Sequence, residues 1–449
     1  MDQQFEFLRQ LLREDKITEF REMFLEWHLY EQGQFYFTLN EAERQRLYTY
    51  LSPKETADMF DVIEEDHEDM KDYLSEMAPR YVADMLSAMY MDNAADILNQ
   101  LEKEEMTKYL SLMTSEDVRK IKVLLGYEDE TAGAIMTTEY VAIVANQTVR
   151  SALNLLRRKA MDAEIIYYIY VVDTKNHLVG VISLRDLIVN DDDTLISEVM
   201  EERVISVHVM DDQEDVAKTI RDYDFLAVPV VDSRNTLLGI ITVDDIIDVI
   251  DDEAARDYSG LAGVDVEAVA ETPLKASLKR LPWLITLLFL GMSTATLISH
   301  YEGMITEASI LAVFISLITG TAGNAGTQSL AVAVRKLAIS DEKDMNFFKL
   351  VCSEVLTGLI TGLVTGFVIC VVVGFWKGNF VLGLVIGVAM LCAITVANLA
   401  GSFIPMLMEQ LGFDPAVASG PFITTLSDLT SVLIYFNIAK LFMGFFIGS

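Results

Sequence analysis

Cysteine is scarce. Cys352, Cys370 and Cys392 all lie in apolar surroundings, and none has a CxxC spacing. That excludes a disulfide scaffold and a thiolate zinc site, and the three read as small buried hydrophobes. The five histidines (His28, His67, His177, His208, His300) are scattered, with no HxxxH pair to hold a metal on one helix face. No P-loop, catalytic dyad or dinucleotide fingerprint is present. The glycine-rich run Gly320-Thr321-Ala322-Gly323-Asn324-Ala325-Gly326 is not GxGxxG, and no strand precedes it. An ATP-driven pump and a dehydrogenase are thereby excluded. Basic residues are few, 34 against 68 acidic, for a net charge of −34. Such a balance argues against nucleic acid or anionic lipid as a partner and for cations. The N-terminus, Met1-Asp2-Gln3-Gln4-Phe5-Glu6, is charged and amphipathic rather than a signal peptide, so the front half is expected on the cytoplasmic side.

The charge is also uneven. Only 9 acidic and 6 basic residues fall from Leu281 onward, which leaves Met1–Arg280 with a net of −31. A soluble acidic half thus precedes an apolar half. Residues 1–130 have little Gly or Pro and apolar residues three and four apart, which predicts an all-helical domain. The turns Thr56-Ala57-Asp58-Met59-Phe60, Val82-Ala83-Asp84-Met85-Leu86 and Ala94-Ala95-Asp96-Ile97-Leu98 repeat one pattern, with Ala at a close contact and Asp at the edge. Stacked helical pairs in a short superhelix produce it. Asp92 and Asp96 are four apart and share a helix face, either solvated or eased by a bridging divalent ion.

Residues 131–250 hold a tandem repeat. Tyr170-Val171-Val172-Asp173 with Gly180-Val181-Ile182-Ser183-Leu184-Arg185-Asp186 recurs 59 residues later as Pro229-Val230-Val231-Asp232 with Gly239-Ile240-Ile241-Thr242-Val243-Asp244-Asp245. Each copy reads strand, turn, strand, helix, and the pair resembles tandem CBS domains. In such modules a Ser/Thr-x-x-Asp at the last strand–helix junction holds an adenosine ribose. This resemblance makes Ser183, Asp186, Arg185 and Phe225 candidates for ATP or another adenine nucleotide, with Thr242/Asp245 as the second junction. The alternative is plain helix capping.

An acidic linker over 251–280 follows. Then come five segments long enough to span a membrane, near 282–300, 308–334, 348–376, 380–407 and 415–446. Lys275, Lys279 and Arg280 before the first segment, and Arg335, Lys336, Lys343 and Lys349 between the second and third, fit a cytoplasmic front half. Gly358, Gly362 and Gly366, and Gly383 and Gly387, recur at the four-residue spacing of close helix packing. Two polar interruptions stand out, each expected to break its helix: Gly320–Gln328 in the second segment and Gly420-Pro421 in the fifth. Asp428 lies deep in the fifth, where an ionised side chain costs roughly 2.5–3.5 kcal/mol unless water or a cation meets it. A broken helix beside a buried acid reads as a cation path.

An acidic helical front, a CBS pair, and five spans carrying Gly323-Asn324-Ala325-Gly326-Thr327-Gln328 and Pro421-Phe422-Ile423-Thr424-Thr425-Leu426-Ser427-Asp428 together resemble the MgtE family of magnesium channels and transporters. Ala322 departs from that family's frequent second Gly. The resemblance implies a multidomain membrane protein: an all-α superhelical domain (1–130), α/β tandem CBS domains (131–250), a linker or plug helix (251–280) and a five-helix pore domain (281–449). It implies a homodimer in the plasma membrane whose paired fifth helices line one pore, with Asp428, Asn324, Thr424 and Asp414 as pore residues. It also implies regulatory Mg²⁺ at Asp92 and Asp96. Crowded acids extend that set to Asp212, Glu214, Asp244, Asp245, Asp248, Asp251, Asp252 and Asp257. Mg²⁺ shared among them would hold the domains together when cytoplasmic magnesium is high, and like-charge repulsion would part them when it falls. Competing readings are a carrier of Mn²⁺ or Co²⁺ and a membrane sensor that conducts nothing.

Overall fold

The computed structural model describes residues 2–62, 70–161, 163–264, 272–339, 347–411, 415 and 419–443. The expected pore-mouth acid Asp414 therefore lies outside the described residues. Contacts divide the chain into two units, Met1–Ile250 and Asp251–Ser449.

The first unit opens with short helices, and local chemistry sets where they start. Asn40 and Ser52 each form a capping box with the Glu three residues on, Glu43 and Glu55. Pro53 and Pro79 begin helices Pro53–Phe60 and Pro79–Leu86, where a missing N–H costs nothing. Phe20, Phe24, Phe35, Tyr36 and Phe60 are fully buried, each such side chain stabilising the fold by about 1.5–3 kcal/mol. Ala57, Ala83 and Ala95 of the repeated turn are buried, while Asp58, Asp84 and Asp96 sit at the edge, as the pattern predicts.

The CBS pair follows as two three-stranded sheets. Tyr168–Val172 pairs parallel with Ala142–Val144 and antiparallel with Leu178–Ser183. Ala227–Val231 pairs in the same way with Val207–His208 and Leu237–Thr242. The two copies lock reciprocally at their hairpin tips. Asn176 and Asn235 both hold left-handed backbone, φ 67° and 62°, a conformation Asn tolerates better than most residues. Asn176 Nδ2 donates to the carbonyl of Leu237 at 2.9 Å, and Asn235 Nδ2 to that of Leu178 at 2.8 Å.

Helix Val243–Ala262 runs without a break from the second CBS copy into the second unit. It ends in a Schellman motif: Val264 N–H donates to the Ser259 carbonyl and Gly263 N–H to that of Gly260, with Gly263 at φ +65°. Among the described residues, five helices are long and apolar enough to cross a membrane: the first (Pro273–His300), second (Ile315–Ile339), third (Phe347–Lys377), fourth (Phe380–Gln410) and fifth (Gly420–Leu441). The third and fourth meet backbone to backbone. A Cβ on Gly358 would stand 3.0 Å from Thr395 Cα, and one on Gly362 3.0 Å from Leu391 Cα, while Gly366 faces Gly387.

Three expectations need correcting. The second membrane helix is continuous through Gly320–Gln328: Gly323 and Gly326 serve close packing, and an uninterrupted helix keeps every backbone group bonded in lipid. Pro421 does not interrupt the fifth helix but stands in its first turn, where its absent N–H leaves no carbonyl stranded. The cysteines are free, but Cys352 is exposed and Cys370 and Cys392 are half-buried. Their apolar surroundings lie largely on the outer face of the helices rather than in a protein core.

Candidate functional sites

In the second unit, the two sequence motifs face each other. A Cβ on Gly323 would stand 3.0 Å from Thr424 Cγ2 and 3.9 Å from Asp428 Oδ1, so the absent side chain lets the second helix approach the carboxylate of the fifth. One turn on, a Cβ on Gly326 would meet Ser427 Oγ at 2.9 Å and Ile423 Cγ2 at 3.1 Å, and one on Gly401 of the fourth helix would overlap the Gly326 carbonyl. Gly326 is thus where three helices cross. Asp428 is half-buried and Asn324 exposed. The Thr424 hydroxyl donates to the Gly420 carbonyl at 2.9 Å, which leaves its lone pairs available. The linker helix reaches this region as well. Leu261 packs with Leu330, Val334, Ile423 and Phe422, and its carbonyl would lie 3.0 Å from a Cβ on Gly420, the first residue of the fifth helix.

In the first unit, acids gather where helix Met91–Asn99 meets the CBS pair. Carboxylate oxygens of Glu164, Asp244 and Asp245 all lie within 4.8 Å of one another. Asp92 is buried, and its carboxyl is held well above the usual range by burial and then by the charges of Glu164 and Asp245. Burial likewise pushes Glu164 up to about 7, helped by Asp245. Asp245 rises to about 6, although the Thr242 hydroxyl, which donates to it, works the other way. Asp61 is lifted by burial to about 7 while accepting from Tyr90 N at 3.2 Å and Asn93 Nδ2 at 3.1 Å, so it caps the start of the helix that carries Asp92. Asp92 Oδ1 and Glu164 Oε2 are buried without a hydrogen-bond partner among the described residues. Acids placed together, desolvated and short of donors favour a cation in their midst. An all-oxygen donor set fits a hard ion such as Mg²⁺.

The remaining expected residues are placed differently. Asp96 shares the helix face of Asp92 but lies at the exposed edge, within reach of the charges of Asp129 and Asp245. Asp248 follows one turn after Asp244. Asp251, Asp252 and Asp257 continue along the same helix, beyond the division between the units. Asp212 caps helix Gln213–Tyr223 by accepting from Glu214 N at 2.8 Å, and Glu214 pairs with Lys218 at 3.3 Å; neither joins the cluster around Glu164. Ser183 caps its helix, its Oγ accepting from Asp186 N at 3.1 Å and donating to Asp186 Oδ2 at 2.6 Å. Arg185 is exposed, and Phe225 stacks on Tyr223 with ring centroids 5.4 Å apart. Glu164 and Asp61 escape a reading of motifs. Glu164 lies between helix Val149–Lys159 and strand Tyr168–Val172, a segment longer than its equivalent in the second copy, so the repeat assigns it no counterpart.

Five membrane-length helices with a carboxylate facing a glycine-bearing neighbour, behind a CBS pair and an acidic helical domain, define a regulated membrane carrier of cations. Three family models match in order: the MgtE intracellular N domain over residues 27–130, CBS domains over 132–192 and 196–252, and the MgtE divalent cation transporter domain over 315–438. A magnesium transporter MgtE of Enterococcus faecalis is 74% identical over 447 residues, covering 100% of this chain and 99% of that one. One of Bacillus subtilis is 36% identical over 96% of both chains, and one of Thermus thermophilus 40% identical over 72% of both. Among solved structures, the soluble part of a magnesium transporter is similar at 70% identity and TM-score 0.56, covering 57% of this chain and all of that one. The cytosolic domain of the Mg²⁺ channel MgtE in complex with ATP is similar at 38% identity and TM-score 0.51, covering 54% of this chain and 98% of that one. The chain belongs to the MgtE family.

Proposed function

We propose that this protein carries Mg²⁺ across the plasma membrane into the cytoplasm, with its N-terminal domains cytoplasmic, and that cytoplasmic Mg²⁺ closes it. The observation that carries the pore reading is Asp428 set against Gly323. A carboxylate half-buried at membrane depth, with Thr424 one turn before it and Gly323 packed against both, suits an ion that keeps most of its water. Mg²⁺ dehydrates reluctantly and is bound through one or two carboxylates. In a homodimer with paired fifth helices, two copies of Asp428 supply both carboxylates, and Asn324 and Thr424 hold the ion's waters. Asp414 serves the cytoplasmic mouth. With no ATP-hydrolysis motif, the path is passive.

Regulation rests on the acidic cluster. Mg²⁺ held by Asp92, Glu164, Asp244 and Asp245 favours the state in which helix Met91–Asn99 packs on the CBS pair. An ion shifts a two-state equilibrium only by binding one state better, and an ion shared across a contact does so. The outer acids Asp96, Asp248, Asp251, Asp252 and Asp257 add binding capacity along the linker helix, whose end at Leu261 adjoins the start of the fifth helix. An adenine nucleotide at Ser183, Arg185, Asp186 and Phe225 biases the same closure. Flux into reconstituted vesicles tests the pore. Asp428→Asn is expected to lower Mg²⁺ flux about a hundredfold, the equivalent of losing one strong charge contact. Wild-type flux in that variant would refute the pore assignment.

A further inference from the structure

The third membrane helix carries an acid that neither the pore nor the regulatory cluster uses. Glu354 is 6% exposed, and three other polar residues sit around it at least nine-tenths buried: Ser329 on the second helix, and Asn398 and Ser402 on the fourth. Ser329 and Lys336, both on the second helix, partner Glu354. Ser329 Oγ stands 3.2 Å from Glu354 Oε2, and Lys336 Nζ donates to Glu354 Oε1 at 3.4 Å. Ser329 Oγ also lies 2.9 Å from the Asn398 carbonyl, which accepts from Ser402 Oγ at 3.0 Å. Ser329 and Lys336 are two helical turns apart on one face. Glu354 therefore grips the second helix at two heights, while Ser329 ties that helix to the fourth.

An apolar bundle has little energetic reason to hold such a pair. Hydrophobic residues of similar volume usually stabilise as well as a buried ion pair or better, and the best-attested use of a buried pair is to fix register. A register device has work to do here. The second helix crosses the fourth and fifth at Gly326, where the fourth meets it through the glycine contact of Gly401. A contact between small residues permits close approach but has no interlocking side chain to stop one helix sliding along another. The glycine that faces Asp428, Gly323, is one turn before Gly326, and Ser329 is one turn after it. A shift at Ser329 therefore moves Gly323 past Asp428 by the same amount.

We infer that the Lys336–Glu354 ion pair, with Ser329, sets the height of the second helix and so holds Gly323 against Asp428; Glu354 and Lys336 are positioning residues for permeation. This inference rests on the reading of Asp428 and Asn324 as pore residues. The test uses the full-length protein in vesicles, with Mg²⁺ and Mn²⁺ flux measured alongside thermal unfolding in detergent. Glu354→Gln keeps the shape and one hydrogen bond but removes the charge, and Lys336→Met removes the other partner, whose side chain is 43% exposed and tolerant of change. Each is expected to lower Mg²⁺ flux about tenfold and to narrow the preference for Mg²⁺ over Mn²⁺, because a helix freed from one register spends time in several. The exchange K336E/E354K restores the pair and is expected to recover both flux and preference; a narrowed preference in single variants that unfold at the wild-type temperature is the readout a merely structural role would not move. The inference is overturned if either single variant, folded, keeps wild-type flux and ion preference, or if the exchange is no better than the single variants. Should Glu354→Gln fail to fold, Lys336→Met and the exchange carry the same decision. Asp428→Asn, run in parallel, reports separately on the pore reading: its failure leaves the exchange result standing as a statement about helix register alone.

Discussion

The two CBS copies share one frame and differ in the charge mounted on it. Their hairpin tips, strand registers and reciprocal Asn176 and Asn235 contacts match. At the last strand–helix junction both place a hydroxyl and an Asp in the same relation, Ser183 with Asp186 and Thr242 with Asp245. The residue between them is Arg185 in the first copy and Asp244 in the second. The segment between the preceding helix and the central strand is longer in the first copy, 160–167 against 224–226, and Glu164 lies in it. Glu164 turns towards Asp244 and Asp245, so one copy lends an acid to the junction of the other, while the first copy's own junction keeps its arginine. The two junctions thus share a hydroxyl–Asp arrangement and differ in charge: the second gathers three carboxylates, while the first carries an arginine.

The most severe way to break this asymmetry is to neutralise the cation side. Glu164→Gln with Asp245→Asn removes two of the three clustered carboxylates. The Mg²⁺ concentration that shuts transport is expected to rise about a hundredfold, with maximal flux unchanged, because each lost ligand weakens coupling by one to three kcal/mol, roughly. Flux against internal Mg²⁺ measures this, and an unchanged midpoint would show that the cluster is not the sensor. A gentler change makes one copy resemble the other. Asp244→Arg sets a cation beside Glu164 and Asp245 and is expected to raise the same midpoint about tenfold. Its mirror, Arg185→Asp, is expected to weaken ATP binding by about tenfold while leaving the Mg²⁺ midpoint in place. If Arg185→Asp shifts the Mg²⁺ midpoint as far as Asp244→Arg does, the two junctions are not specialised.

How much of this was legible depended on whether the signal was local or spatial. The helical front, the repeat with its step of 59 and the five spans followed from periodicity and apolar length, which chain neighbours determine. The meeting of Gly323 with Asp428 joined two motifs already marked as polar breaks in apolar runs. What failed was the inference from glycine and proline to unwound backbone. Gly320, Gly323 and Gly326 stay helical, since a helix in lipid has no water to bond its freed groups. Pro421 sits at a helix start, which sequence alone shows only once the segment's true boundary is known. Glu164 and Asp61 were hidden because they join the site through tertiary packing, from a segment just before a strand and from a helix C-cap. Asp212 and Glu214 were picked by charge density, yet each is occupied by a nearby cap or lysine.

The smallest expected effect is one of pH, and it separates the cluster around Glu164 from the hairpin acids by sign. Asp92, Asp61, Glu164 and Asp245 all have folded-state values above the ordinary carboxylate range, the last three near 7, 7 and 6. A raised carboxyl favours the packed state when protonated. Its contribution is complete below the unfolded value, about 4, and is lost as pH rises through the folded values. Without divalent ions, helix Met91–Asn99 should therefore pack more firmly on the CBS pair at pH 6 than at pH 8. Saturating Mg²⁺ binds the deprotonated acids and should reverse the trend. Hydrogen exchange over Met91–Asn99 in the full-length protein reads both arms, with an expected difference of a few-fold in protection. The hairpin acids Asp173 and Asp232 are held below the ordinary range by backbone donors from His177 and Thr236, so they stay charged throughout this window. Strands Tyr168–Val172 and Ala227–Val231 should then show equal protection at pH 6 and pH 8, once the faster intrinsic exchange at pH 8 is divided out. A pH response of the same size in those strands would mean that the whole unit is loosening, and that the cluster around Glu164 is not its cause.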